Sequence, residues 1–228
     1  MGNKLNQKEL DSIYSKRFND KDVSRQLLWS TLTKHYFQKF VDKDDTVLDL
    51  AAGYCEFINN IECKKKYAVD LNPETKKRAA KGVKVYTARS DKLPKELESK
   101  VDIVFVSNFF EHLDSKHQLL DTLSEIKKVL KPSGKILILQ PNISRTKDAY
   151  WNFVDHSLPL NDRSLREALE LSGFGVESLN PRFLPYTTSS SLPIHPLLIR
   201  AYLKLRPAQW FIGKQIFAIG RPLESVTV

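Results

Sequence analysis

At 228 residues, 41% of them hydrophobic, the chain suits one well-buried α/β domain and is short for two. No apolar run approaches the roughly 18 residues a membrane-spanning helix needs, and the polar opening MGNKLNQKEL lacks the apolar stretch of a secretory signal, so the expected location is the cytosol. Only Cys55 and Cys63 are present, with no further Cys or His at zinc-ligand spacing, which predicts neither a disulfide nor a metal framework. A formal net charge of +9 calls for an anionic partner: a nucleotide, a phosphorylated glycan, RNA or an anionic membrane surface.

Helical patterns over 7–19 and 22–41 come first, the second with Leu27, Leu28, Leu32, Tyr36, Phe37 and Phe40 recurring at three and four. Short β-branched or aliphatic runs follow at 46–50, 67–71, 83–86, 101–106 and 135–139. Strands that are apolar on both faces and alternate with helices indicate a parallel sheet covered on two sides. The helix over 115–130 carries Leu119, Leu120, Leu123, Ile126, Val129 and Leu130 as one stripe, with Pro132 and Gly134 expected to close it. Asn161-Asp-Arg-Ser opens another, stopped by Gly173. Two last strands are expected at 175–184 and 214–220, separated by a long insertion in which 197–205 reads as a short basic helix. The predicted organisation is a single domain over 1–228: a helical cap over 1–43, a core over 44–183, a basic aromatic insertion over 184–212 and a last strand over 213–222.

The turn after the first run, Asp49-Leu-Ala-Ala-Gly-Tyr-Cys-Glu56, lies where a doubly wound sheet binds its ligand, beyond the carboxyl ends of the strands. Asp70 closes the second run, and an acid there accepts hydrogen bonds from both ribose hydroxyls of an adenosine. A dinucleotide fingerprint would need three glycines to seat a pyrophosphate on a helix N-terminus. Here there is one, Gly53, together with Asp49 and Glu56. Those acids repel a pyrophosphate and suit a cationic sulfonium and amino group, so the chemistry points to S-adenosylmethionine rather than NAD.

The segments DLAAG, VDLNP, VDIVFVSNFFEHL and LKPSGKILI, in this order and spacing, resemble the class I S-adenosylmethionine-dependent methyltransferases. The resemblance spans about residues 44 to 142. It implies a Rossmann-like, seven-stranded, mostly parallel sheet with an antiparallel last strand. It further implies that Asp49, Ala51 and Gly53 shape the pocket for the methionine end, that Asp70 binds the ribose and that Leu71 lies against the adenine. Asp91 is the candidate for the adenine amino group, and Asn108 would sit beside the methyl-bearing sulfur. Tyr14 and Arg17, on the first helix, occupy the place where related enzymes fold a lid over the cofactor. The family's G-x-G-x-G turn has Ala51 and Cys55 at its first and third glycines, which leaves a non-catalytic, cofactor-binding scaffold as an alternative of another class.

An alcohol acceptor calls for a base to take its proton. Among five histidines, His156 lies in the FVDHSLPL loop at the rim expected to hold substrate, beside Asp155, and His112 follows the fourth run. These three are the catalytic candidates. The DHSLPL loop, the RFLPYTTSSSLP stretch and the final W-x-x-G-K-Q strand resemble methyltransferases associated with bacterial surface-polysaccharide synthesis. The expected acceptor is therefore a sugar hydroxyl on an anionic nucleotide- or lipid-linked glycan. Segment 184–212, apolar and basic, suits peripheral contact with the inner face of a membrane. RNA methylation is the enzymatic alternative; no appended RNA-binding module is visible, and nucleic acid is not the expected partner.

Overall fold

A computed structural model describes residues 22–186 and 195–223. Helix α1 (Asp22–His35) leads through a 3-10 turn at Phe37–Phe40 into β1 (Thr46–Leu50). Next come α2 (Glu56–Asn60), β2 (Lys65–Val69), α3 (Glu74–Arg78), β3 (Val83–Tyr86) and β4 (Val101–Ser107). The alternation continues with α4 (Lys116–Val129), β5 (Leu130–Pro141), α5 (Asp162–Leu171) and β6 (Phe174–Asn180). Two helices, α6 (Pro196–Lys204) and α7 (Arg206–Ile212), precede β7 (Gln215–Pro222).

The seven strands form one sheet in the order β3-β2-β1-β4-β5-β7-β6. All neighbours from β3 to β5 are parallel, and β7 runs antiparallel to both β5 and β6. The chain steps outward from β1 to β3 and then returns to β4, so the direction of winding reverses between β1 and β4. In such sheets the crevice beyond this switch point is the ligand site.

Alternation along the central strands builds both faces. Leu48, Leu50, Val104, Val106, Ile136 and Ile138 face a layer closed by Leu119, Leu123 and Ile126 of α4 and Leu165 and Leu169 of α5. Val47, Ile103, Phe105, Leu137 and Leu139 face the other layer, with Leu32 of α1, Phe37 and Phe57. The Phe57 and Phe105 rings stack at 3.8 Å between centroids. Of the stripe predicted on α4, Leu119, Leu123, Ile126 and Val129 are buried, Leu120 packs partly buried beside them and Leu130 opens the next strand; the N-cap is Ser115, whose side chain accepts from the Gln118 amide. Asn161 caps α5 in a full capping box with Ser164.

Several boundaries moved. The helix expected over 115–130 ends at Val129, shortly before Pro132 and Gly134 as expected, but Leu130 already pairs with Val101 and opens β5, which carries both residues. A side chain at Gly134 would approach the carbonyls of Asp102 and Lys131 to 3.0 Å, so the strand bends where only glycine passes. The second strand ends at Val69, two residues earlier than expected, which leaves Asp70 and Leu71 outside the ladder. The strand expected over 175–184 ends at Asn180, and Phe183 turns back to donate to the Gln215 carbonyl at 2.7 Å. The segment over 184–212 contains two helices, not one, because Arg206-Pro207 restarts the helix after Leu205. The helical pattern over 7–19, with Tyr14 and Arg17, lies outside the described residues.

Candidate functional site

Beyond the carboxyl end of β1 the backbone enters left-handed conformation at every second residue: φ is 57° at Ala51, 52° at Gly53 and 62° at Cys55. L-residues pay about 1–2 kcal/mol for that conformation, so a loop that keeps it at Ala51 and Cys55 is held by its surroundings. The Ala51 and Ala52 amides donate to the Val69 carbonyl at 2.8 and 3.2 Å, and the Cys55 amide to Ala52 at 2.8 Å. Thr75 Oγ1 donates to the Gly53 carbonyl at 2.7 Å. The Cys55 side chain points inward, fully buried against Phe57 and Ile58, and its Sγ donates to the Thr75 carbonyl at 3.5 Å. It does not enter the crevice. Burial, then the neighbouring carboxylates, lifts its thiol to about 12, so it stays protonated and unreactive.

A Cβ placed on Gly53 would meet nothing within 4 Å: the loop faces open space and leaves its backbone accessible there. Asp70 crosses under this loop, one carboxylate oxygen accepting from the Gly53 amide and the other from the Asn72 amide, both at 2.7 Å. Burial raises its pKa, and those two amides pull against the rise. Asp49, 3% exposed, is raised well above the carboxylate range by burial and then by the Glu56 charge, with Asp70 adding to it. Glu56 is paired with Arg25 at 2.6 Å. The crevice thus brings together three acids, two of them deprived of water, and a cationic ligand would relieve their mutual repulsion. Leu71, 55% exposed at the end of β2, gives it an apolar wall.

Asn108, half-buried at the end of β4, also has positive φ, at 48°; its amide donates to the Leu139 carbonyl at 2.8 Å and its Nδ2 to Ser107 Oγ at 3.1 Å. Asp91 is gripped by Arg89 in a two-pronged pair, at 2.8 Å from Nε and 2.5 Å from Nη2. That pairing takes one acceptor site on each oxygen and leaves the other for a further donor.

The strand end at β4 also starts a second cluster. Glu111 and His112 lie on the 3-10 turn Phe110–His112, and the loop carrying Asp155 and His156 folds back over it. The Ser157 and Leu158 amides both donate to the Glu111 carbonyl, at 2.7 and 3.1 Å, while Tyr150 Oη donates to the Leu158 carbonyl at 2.7 Å. Asp155 faces His112: His112 Nδ1 is 3.1 Å from the Asp155 carbonyl and 3.4 Å from its Oδ2. His156, 9% exposed, packs among the rings of Tyr150, Phe153 and His112, 4.7 to 5.1 Å away between centroids. Glu111 is 2% exposed, and burial raises its pKa, opposed first by His112. Sequence reading missed Glu111 as a site residue, because EH after a strand reads as the start of a helix. Its signal was a carboxylate inside an otherwise aromatic and aliphatic run.

Residues 48–138 match the family model of the methyltransferase domain. The matched segment, which holds the crevice acids Asp49, Glu56 and Asp70, is what makes this chain similar to methyltransferases. The chain's fold is also that of a chain in the complex between the Haloferax volcanii Trm112 methyltransferase activator and a candidate methyltransferase, with a TM-score of 0.66 and 16% identity over 95% of this chain and 97% of that one. A SAM-dependent methyltransferase from Archaeoglobus fulgidus superposes with a TM-score of 0.64 at 21% identity, over 93% and 99%. Another from Methanosarcina mazei gives 0.61 at 12% identity, over 82% and 96%. No curated protein matches this sequence. The residues of the crevice fit S-adenosylmethionine: open space at Gly53, an apolar ledge at Leu71 and buried carboxylates where a sulfonium and an ammonium group would place positive charge.

Proposed function

We propose that this domain methylates a sugar hydroxyl carried on an anionic lipid phosphate, of the kind assembled into bacterial surface polysaccharide. The observation that carries the reading is the placing of two unlike clusters on neighbouring strand ends. The acids of the cofactor crevice follow β1 and β2, and the Glu111, His112, Asp155 and His156 cluster follows β4, which is hydrogen-bonded to β1. The cofactor supplies a carbon already activated by its sulfonium leaving group, so this chain's work is alignment. Asp49, Ala51, Gly53 and Asp70 would hold the donor, with Leu71 beside the adenine and Asn108 at the reacting end. The second cluster would meet the acceptor hydroxyl and take up its proton as the oxygen attacks. Tyr14 and Arg17 would close over the donor.

The lipid carrier is supported by α6 and α7. Leu197, Leu198, Leu205, Trp210 and Phe211 are 53 to 83% exposed, interleaved with Arg200, Lys204 and Arg206, and no acid occurs between Glu177 and Glu224. Apolar side chains among basic ones suit an anionic bilayer surface. Among the described residues no helix is long and apolar enough to cross a membrane.

Calorimetry with S-adenosylmethionine and its demethylated product tests the donor half. Transfer of labelled methyl to a polyprenyl-phosphate-linked glycan, to a nucleotide sugar and to RNA tests the acceptor half. His156→Ala is expected to keep cofactor affinity and lose turnover by 100-fold or more. Turnover on RNA alone would overturn the glycan reading, and binding with no turnover on any acceptor would favour a scaffold.

A further inference from the structure

Three groups of the second cluster share a property that acid–base work does not require. A carboxylate oxygen of Glu111 and a ring nitrogen from each of His112 and His156 all lie within 4.8 Å of one another. We propose that Glu111, His112 and His156 form a binding site for a zinc-class divalent cation at the acceptor end of the crevice.

The donor set comes first. Two imidazoles and one carboxylate, with a position left for a further ligand, are the donors of catalytic zinc sites; magnesium prefers oxygen-only shells. Tetrahedral coordination at about 2.0–2.1 Å draws ligand atoms to roughly 3.3 Å apart, which a rotation of the His112 ring, 25% exposed on its side chain, can provide. That exposure is also the entry path.

Second, His112 is oriented as a ligand. With Nδ1 directed at Asp155, at 3.1 Å from its carbonyl and 3.4 Å from its carboxylate, its Nε2 is left to coordinate. A carboxylate behind a ligating histidine fixes the tautomer and raises the basicity of the nitrogen that binds.

Third, the Glu111 carboxylate is 2% exposed and its Oε2 meets no donor at ordinary hydrogen-bond geometry among the described residues. The Gln140 side chain, fully buried, is turned to the same carboxylate as a hydrogen-bond partner. A cation on the Glu111 carboxylate gives Oε2 a partner, with Gln140 behind it to orient the carboxylate.

The consequence for the reaction rests on the transfer proposed above. An alcohol oxygen held on such an ion loses its proton near neutral pH. With an ion seated, the cluster would act on the hydroxyl through its ligand rather than as the base itself: the O–H bond breaks with the proton passing to solvent, the oxygen pair attacks the methyl carbon, and the S–C pair leaves with the demethylated cofactor.

The test uses the whole chain, stripped with a chelator and titrated with zinc and with cobalt. Expected is one equivalent bound with a Kd below about 1 μM and, for cobalt, visible absorption of a four- or five-coordinate ion. Glu111→Gln and His112→Asn should each weaken zinc at least 100-fold, with unchanged S-adenosylmethionine affinity as proof of folding. Should Glu111→Gln fail to fold, His112→Asn, on the partly exposed ring, decides. No equivalent bound, or binding that survives both substitutions and therefore belongs to surface histidines, overturns the site. Stoichiometric metal in a protein that methylates no glycan would leave the site standing and remove the acceptor reading. Glycan transfer by metal-free protein unchanged on adding zinc would do the reverse.

Discussion

Alternate left-handed residues in the cofactor loop place a conformational cost where Ala51 and Cys55 stand. At Ala51, part-buried and without a packed side chain of any size, Gly removes a strain of about 1–2 kcal/mol and loses about 0.4–1 through the freer unfolded chain. Ala51→Gly is therefore expected to gain roughly 0.5–1 kcal/mol in urea unfolding, with cofactor affinity retained. Cys55→Gly relieves the same strain but empties a fully buried position, so its gain should be smaller or reversed. A larger gain at Cys55 than at Ala51 would contradict this account of the loop.

Asp49 works against the free protein. Because burial raises its pKa in the folded state, the folded form holds its proton over a pH range where the unfolded chain has released it, and stability falls as pH rises through that range. Asp49→Asn keeps an oxygen for the Ile58 amide, which opposes the rise in the native residue, and discards the charge. We expect the variant to melt higher than the native protein at pH 7.5, with the difference shrinking as pH is lowered toward the ordinary carboxylate range. Its S-adenosylmethionine affinity should drop at least tenfold. Equal melting temperatures at pH 7.5 would show that the Asp49 charge carries no cost in the free fold.

At the scale of elements, strand ends do the positioning. The loop over 142–160 is anchored at several points: Asn142 caps the helical turn Ile143–Thr146 and its Nδ2 reaches Asp162 at 3.0 Å, and two amides meet the Glu111 carbonyl. The α6–α7 pair is anchored differently, by Tyr202 Oη on the Phe183 carbonyl at 2.9 Å and by the Arg182 guanidinium stacked 3.8 Å over the Trp210 ring. Gly213 ends it where backbone crosses backbone: a Cβ there would lie 2.0 Å from the Arg182 carbonyl oxygen and 2.5 Å from that of Gln209. Gly213→Ala should therefore displace α7 at a cost of about 2 kcal/mol or more, read as greater trypsin cleavage at Lys204, since the Arg206–Pro207 bond resists trypsin, with the cofactor still bound. In liposome flotation, Trp210→Ala with Phe211→Ala should lower capture by anionic vesicles at least fivefold. Capture undiminished by the double substitution would dissociate α7 from membrane contact.

For the whole molecule, the pattern legible in the chain was the alternation that decides the sheet: Val47 and Leu48, Phe105 and Val106, Leu137 and Ile138 each send one residue to either face. Asp49, Gly53 and Asp70 could be placed in the crevice because the end of a parallel strand is a position that sequence marks. Glu111 with His156 could not, since 45 residues separate them and a folded loop, not a local spacing, brings them together. The pairing of Asp155 with His112 was equally hidden, as was α7, whose start depends on Pro207 accepting a first helical turn. Charge acts at this scale too. With +9 overall and an acidic donor crevice, raising salt from 50 to 300 mM should increase KM for a phosphate-bearing acceptor several-fold. S-adenosylmethionine should lose less, because its charges meet buried carboxylates.

The neck of the segment between β6 and β7 has one more implication. The chain leaves at Phe183 and Leu184 and returns at Lys214 and Gln215, and these residues bond to one another across the opening at 2.7 to 2.9 Å. A stretch that departs and re-enters at one hydrogen-bonded point can lengthen, shorten or be exchanged while the strands on either side keep their register. The membrane contact proposed for α6 and α7 can therefore be exchanged as a cassette, independently of the donor crevice, and grafting a different segment between Leu184 and Lys214 should change capture by anionic vesicles without changing S-adenosylmethionine affinity.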